Sequence, residues 1–179
     1  MSVVDAELVL TERLRCERLR PEHEVELSAL VLDPRVARWI EADGLPAPAS
    51  AVGAWLCAKE EHWRRHGFGQ WLLRDRETER MVGRGGLQHT GVAGGDEVEV
   101  GWAIVPERWG QGLATEMARA AVALALGPLE LDSVVAFTLP DNVASRRVME
   151  KAGFVFEREI EHAGLAHVLY RRVADHRTP

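Results

Sequence analysis

Cysteine is scarce in this sequence, tyrosine occurs once and long hydrophobic runs are missing, and each shortage removes a class of protein. Two cysteines in 179 residues, Cys16 and Cys57, cannot supply the disulfide framework that staples small secreted domains. They fall in segments that read as strand and helix, and buried free thiols are expected. The longest apolar run, Ala120–Leu126, is far short of the roughly 20 residues that cross a bilayer. Asp5 and Glu7 interrupt any basic-then-apolar leader, so a cytoplasmic location is expected and a membrane is not. Positive charge is also in deficit. A net charge of -6 argues against nonspecific binding to nucleic acid and mildly suits cationic substrates such as amines. His66, His89 and His162 follow no metal-ligand spacing, so no metal site is expected.

What is present suits one globular domain over residues 1–179, long enough to bury a sizeable core. Its hydrophobic fraction is 46% and its charged fraction 28%, ordinary for such a domain. The chain is organised around EVEVGWAIVPERWGQGLATE, Glu97 to Glu116. Val98, Val100 and Trp102 alternate with Glu99 and Gly101, the period of a half-buried strand. Pro106 cannot donate to a ladder and should stop that strand near Val105. Gly110 and Gly112 permit a tight turn and close approach of a ligand to the backbone. Helical spacing follows through Leu113, Met117 and Ala120 or Ala121. The first amides of that helix have no internal partner and lie at its positive end. Strand, loop and helix together predict an anion site, most simply for phosphate. A P-loop would need Lys-Ser or Lys-Thr after the second glycine, where Leu113-Ala114 stands. A dinucleotide fingerprint would need a third glycine where Thr115 stands.

Earlier in the chain, Thr11–Arg20 reads as a first strand, and Pro21 begins a helix carrying Val25, Leu27, Leu30 and Val31. A short helix over Arg35–Glu41 and, after a proline-rich loop, a longer one from an N-cap at Ser50 to about His66 follow. Core packing is expected of at least two of Trp39, Trp55 and Trp63. Phe68–Asp75 and Met81–Thr90 read as a hairpin in which Gly83, Gly85 and Gly86 mark a bulge or a close approach. Beyond the alanine-rich helix come a buried strand over Val134–Leu139, a helix from about Asn142 to Ala152 closed by Gly153, and strands over Phe154–Ile160 and Leu165–Val173. Strands and helices mix as α+β, not as a regular doubly wound sheet.

With WGQGLA (Trp109–Ala114), Glu99 upstream and NVASRRVMEKAGF (Asn142–Phe154) downstream, the chain resembles the GNAT superfamily of N-acetyltransferases. It is most similar to the branch of bacterial ribosomal-protein N-terminal (alanine or serine) acetyltransferases. The resemblance runs from Thr11 to Val173, and Trp109 replaces the first polar residue of the usual loop pattern. It implies a mixed, mostly antiparallel, twisted sheet of about six or seven strands, splayed at the centre, with helices on both faces. It also implies acetyl-CoA as cosubstrate. Gly110, Gln111, Gly112, Leu113, Ala114 and Thr115 would bind the pyrophosphate, and Ala103, Ile104 and Val105 would pair with the pantetheine. A main-chain N–H near Ile104 would hold the thioester carbonyl. Asn142 would cap its helix and touch the pantetheine arm. Glu99 is the candidate base, with Glu116 (read as exposed and paired with Arg119) and Glu157, Glu159 and Glu161 as rivals. Many relatives protonate the leaving thiolate with a tyrosine where Met149 stands here; Ser145 occupies the position the ribosomal-protein branch uses instead. Tyr170, in the last strand, is expected to pack.

The expected reaction is direct acetyl transfer to a primary amine in a ternary complex. The acceptor is a protein N-terminus on the closest resemblance. A small amine (polyamine, amino acid or aminoglycoside-like drug) stays open, as do a non-catalytic acyl-CoA-binding module and a homodimeric association.

Overall fold

A computed structural model describes residues 6–175; the expectation that rested on Asp5 lies outside them. Eight strands form one sheet: β1 (Leu8–Leu10), β2 (Leu14–Arg18), β3 (Gln70–Asp75), β4 (Met81–Thr90), β5 (Glu97–Ile104), β6 (Ser133–Thr138), β7 (Val155–His162) and β8 (Leu165–Val173). Their spatial order is β1-β2-β3-β4-β5-β6-β8-β7. Neighbours are antiparallel except β5 and β6, which run parallel and share a single bridging pair, Glu99 with Val135. Beyond that pair the strands part, and the sheet is open toward the Ile104 end of β5. The other end is pinned. Arg171 on β8 donates to Glu97 on β5 (2.8 and 3.0 Å) and to the Ser133 hydroxyl on β6 (3.0 Å), and it also pairs with Glu157 on β7.

The sheet has one strand more than the six or seven expected. The extra one is Leu8–Leu10, an edge strand that precedes the Thr11–Arg20 segment read as the first strand; the Thr11 N–H donates to the Leu14 carbonyl at 2.9 Å and turns the chain back into β2. Helices cover both faces. On one lie α1 (Glu24–Val31), α2 (Pro34–Ile40) and α3 (Ser50–His66), which bury Leu27, Leu30, Val36 and Leu56 against Leu72 and Ala103. On the other, α4 (Leu113–Leu126) and α5 (Val143–Lys151) pack over Val98, Val100 and Ile104. The alanines of α4 let it lie close to the sheet. A methyl group on Gly85 would stand 2.5 Å from the Met117 Cε, so that glycine is the close approach its sequence suggested.

Helix boundaries follow local chemistry. The Asp33 carboxylate accepts from the Arg35 N–H at 2.8 Å and Pro34 opens α2, one residue before the expected start. Gly67, at φ +73°, closes α3, whose N-cap is Ala49, with Ser50 its first residue. Two further expectations are corrected. Cys57 is exposed on the outer face of α3, whereas Cys16 is buried and its thiol is pushed up to about 12 by burial, then by the charge of Glu116. Of Trp39, Trp55 and Trp63 only Trp63 is in the core, its indole donating to the Gln70 carbonyl at 2.8 Å; Trp39 and Trp55 face a cleft.

Candidate active site

That cleft, about 770 Å³, runs from the glycine loop, along the open part of β5, to the underside of α2 and α3. Its loop end is made of backbone. Gly110 and Gly112 stand at φ +75° and +81°, where a side chain is strained, and Gly112 leads directly into α4. The free amides of the first turn of α4 lie there, and Arg108, Arg147 and Lys151 line the same end. This arrangement suits a polyanion. Arg13 donates to the Gln111 carbonyl (2.8 Å), and Arg108 bonds the Gln111 side chain (2.7 Å) and Asp75 (2.8 Å), holding the loop from both sides. The Arg108 guanidinium and the turn amides of Thr78 and Glu77 hold the Asp75 carboxyl at about 2.

Of the residues expected to bind a cofactor, Ala103, Ile104, Gly110, Gly112, Leu113, Ala114, Thr115 and Asn142 line the cleft. Val105 and Gln111 do not. The Val105 N–H donates to the Val82 carbonyl and its own carbonyl accepts from Arg108, both at 2.9 Å, so neither group is available. By strand alternation the N–H groups of Ile104 and Trp102 point the other way, toward the opening. The Trp109 indole donates to the Ile104 carbonyl at 2.7 Å and so fastens the loop to the strand edge. Asn142 caps α5, its side chain accepting from the Ser145 N–H at 3.1 Å and donating to the Thr138 hydroxyl at 3.0 Å.

The other end is made of side chains. Gly86 on β4 lies opposite Gly101 on β5; the Gly69–Gln70 backbone fills the space beside Gly86, whereas Gly101 lines the cleft with Gln70, Arg84, Gln88 and Glu99. The Arg84 guanidinium donates to Gln70 (3.0 Å), Gln70 to Gln88 (3.1 Å) and Gln88 to Glu99 (2.8 Å). Lys59 on α3 also donates to Gln88. A Cβ at Gly101 would lie 3.1 Å from the Glu99 carboxylate, so that glycine clears the space over which Glu99 folds. Sequence reasoning missed Lys59, Gln70, Arg84 and Gln88. The strand glycines were the available signal, and they were read as a bulge or a close backbone approach, not as part of a site.

Glu99 is half-buried and faces the cleft. Burial raises its pKa, against the opposing pull of Gln88, Arg84 and Lys59, which moves it toward the range useful to a base at neutral pH. Its rivals lie elsewhere. Glu157, Glu159 and Glu161 are exposed on β7 and off the cleft, and Glu157 is paired with Arg171. Glu116 does not pair with Arg119, which donates instead to the Lys151 carbonyl. It accepts from the Arg13 N–H and guanidinium (2.7 Å each) and from Thr11. Ser145 lines the cleft, and among the described residues its hydroxyl has no hydrogen-bond partner. Met149, one turn on, is buried in the core, and Tyr170 is buried with its hydroxyl accepting from Arg146 at 3.1 Å. Among the described residues no group of three or more His, Cys, Asp or Glu is arranged to hold a metal ion.

Comparison with known proteins bears on this geometry. The family model for the acetyltransferase (GNAT) domain matches residues 13–155. A Bacillus subtilis protein, YkkB, is 24% identical over 165 residues, covering 92% of this chain and 94% of its own. An Aspergillus fumigatus FsC-acetyl coenzyme A-N(2)-transacetylase is 34% identical over 155 residues, 80% of this chain and 63% of its own. Among solved structures, a Bordetella pertussis protein described as a GnaT-family acetyltransferase superposes with a TM-score of 0.79 at 25% identity, covering 93% of this chain and 99% of that one. The ribosomal L7/L12 α-N-protein acetyltransferase RimL, solved with coenzyme A, gives 0.78 at 17% identity over 94% and 99% of the two chains.

Proposed function

The chain belongs to the GNAT acetyltransferase family, and on that premise we propose that it acetylates a primary amine by direct attack within the cleft, with Glu99 as base and Ser145 serving the leaving sulfur. Acetyl-CoA supplies the activated acetyl group. The glycine loop and the first amides of α4 are the fit for its pyrophosphate, and the open edge of β5 is the fit for its pantetheine. The observation that carries the assignment is Glu99. It is a carboxylate raised by burial, facing the cleft on the strand whose next two outward N–H groups, on Trp102 and Ile104, are open.

The chemistry then divides among this chain's own groups. Glu99, directly or through a water, takes the proton of the incoming ammonium, so that the nitrogen lone pair is free. The open N–H groups of β5 hold the carbonyl oxygen where negative charge develops. A C–N bond forms as the C–S bond breaks, and the Ser145 hydroxyl hydrogen-bonds the departing sulfur. The proton taken by Glu99 leaves to water and a second N–H proton of the attacking nitrogen passes to the departing sulfur, so one ammonium and one thioester become one amide, one thiol and one proton.

A protein N-terminus as acceptor is supported by the names of ribosomal-protein acetyltransferases among the fold neighbours, which share the fold at 16–18% identity. A small amine is favoured by the acceptor end itself, where Trp39, Ile40 and Trp55 wall a pocket floored by charged side chains. The deciding experiment follows free thiol release from acetyl-CoA across peptide, polyamine, amino-acid and aminoglycoside acceptors, with mass spectrometry of each. An acetylated amine supports the enzyme reading. Tight acetyl-CoA binding without any acetylated product would replace it with the acyl-CoA-binding module.

A further inference from the structure

The acceptor end of the cleft holds two cations, Arg84 and Lys59, whose counter-charges stand beyond ion-pair distance: Glu99 acts on both and Glu41 on Arg84. Arg84 lies on β4 beneath Trp55, and Lys59 is one turn along α3 from that tryptophan. Their head groups each stand 5.1 Å from the centre of the same indole ring, the Gln70 and Gln88 side chains link them, and each cation is within reach of the other's charge. Among the described residues neither is in an ion pair, although most arginines of this chain are. Arg84 spends one nitrogen on the neutral amide of Gln70, and its buried Nε has no partner; Lys59 bonds the neutral amide of Gln88. Glu99 lies at the far end of the same hydrogen-bonded chain and serves, on the reading above, as the base. Both cations are penalised as a result: burial, reinforced by the charge of Arg84, brings Lys59 down to about 8, and burial lowers Arg84.

A half-enclosed pair of cations whose hydrogen bonds go to neutral amides, with Glu99 and Glu41 acting only from beyond ion-pair distance, is costly unless negative charge is brought closer to it. The glycine loop cannot be what they serve, because the cations that line the loop end are Arg108, Arg147 and Lys151. Gly101, whose missing side chain leaves room beside the Glu99 carboxylate, lines the cleft together with both cations.

Resting on the acetyltransferase reading, we propose that the acceptor is a small amine that carries a carboxylate, an amino acid in the broad sense, with the carboxylate held by Arg84 and Lys59 and the amine presented to Glu99. A planar guanidinium offers a carboxylate two parallel N–H donors, and an ammonium adds a third from the side. The same pair repels a polyamine, whose additional ammonium groups would enter a cationic pocket. The face of Trp55 covers the carbon skeleton between the two ends.

The test compares each common L-amino acid with its carboxamide as acceptor, adds β-alanine, γ-aminobutyrate and spermidine, and measures kcat/KM at saturating acetyl-CoA. Calorimetry of the same compounds against the CoA-loaded protein reads affinity without turnover. At least one free acid is expected to exceed its amide by about 10- to 100-fold, the scale of a charge-assisted hydrogen-bonded pair. Arg84→Gln and, separately, Lys59→Gln should collapse that ratio toward one. Because the acid and amide are compared on the same variant, partial loss of folded protein cancels. Equal use of acid and amide, preference for spermidine, or a ratio that survives both substitutions would overturn the proposal while leaving the acetyltransferase reading intact. Absence of any acetylated product would overturn that reading, and the proposal with it.

Discussion

The two ends of the cleft are built by different means. At the loop end the working groups are peptide amides, fixed by glycine dihedrals and by the start of a helix, and the side chains act mainly as braces. At the acceptor end the backbone is bare glycine, and the working groups are side chains from β3, β4, β5 and α3 joined by neutral amides. A backbone site can be broken only by altering the path of the chain or by adding bulk or charge beside it. A side-chain site can be retuned one residue at a time. Groups built from backbone and groups built from side chains are thereby physically separated.

Substitutions that strike one end and spare the other test that division. The largest effect is expected for Gly112→Asp, which sets a carboxylate at a φ of +81° beside the helix amides. CoA affinity by calorimetry should fall by at least ~100-fold through like-charge repulsion, and unchanged affinity would remove the loop from the binding site. Next is Glu99→Gln, expected to lower kcat roughly 10²- to 10⁴-fold with CoA affinity retained. The pH profile gives the sign. A base must be deprotonated and burial raises Glu99, so wild-type activity should be lost on acidification at a pH above the ordinary carboxylate range. That acid limb should be missing in the glutamine variant. Ser145→Ala follows, at about 10- to 100-fold in kcat, with Met149→Tyr unable to rescue it because that side chain is buried in the core. A lower melting temperature with normal turnover would reassign the hydroxyl to helix structure.

The smallest effect tests a brace. Burial pushes Glu116 up, but the hydrogen bonds from Thr11 and Arg13 outweigh it and leave its pKa lowered. A carboxylate held low stabilises the fold above its unfolded pKa and loses that contribution as pH falls. Glu116→Gln should therefore cost about 1 kcal/mol at neutral pH and less in acid, read from denaturant midpoints at the two pH values. Turnover should change far less than in Glu99→Gln.

The same contrast explains what could be read in the sequence. The alternation of β5, the glycines of the loop, the start of α4 and the Asn142 cap are local patterns, each complete within a few neighbouring residues, and all were legible. The acceptor end was not, because Gln70, Arg84 and Gln88 are ordinary polar strand residues until register sets Gly86 against Gly101. Glu116 was misread for a related reason. A helical neighbour, Arg119, looked like its partner, whereas Thr11 and Arg13 reach it from more than a hundred residues away. Core packing was expected of at least two of Trp39, Trp55 and Trp63 and holds for one, because aromatic bulk alone does not say whether a ring meets other side chains or an opening.

Arg171 gives the opening a mechanical character. Its guanidinium ties Glu97, Ser133 and Glu157 together at one end of the parted strands, while the Ile104 end is spanned by no strand pairing. The two halves of the sheet are thus a pair of tongs riveted at Arg171. Since a strand rises about 3.3 Å per residue, the jaw at Ile104 lies more than 20 Å from its rivet. A rotation of a few degrees there changes the gap at the mouth by about an ångström, the scale of a hydrogen bond made or lost. The width of the mouth is thus set at the opposite end of β5.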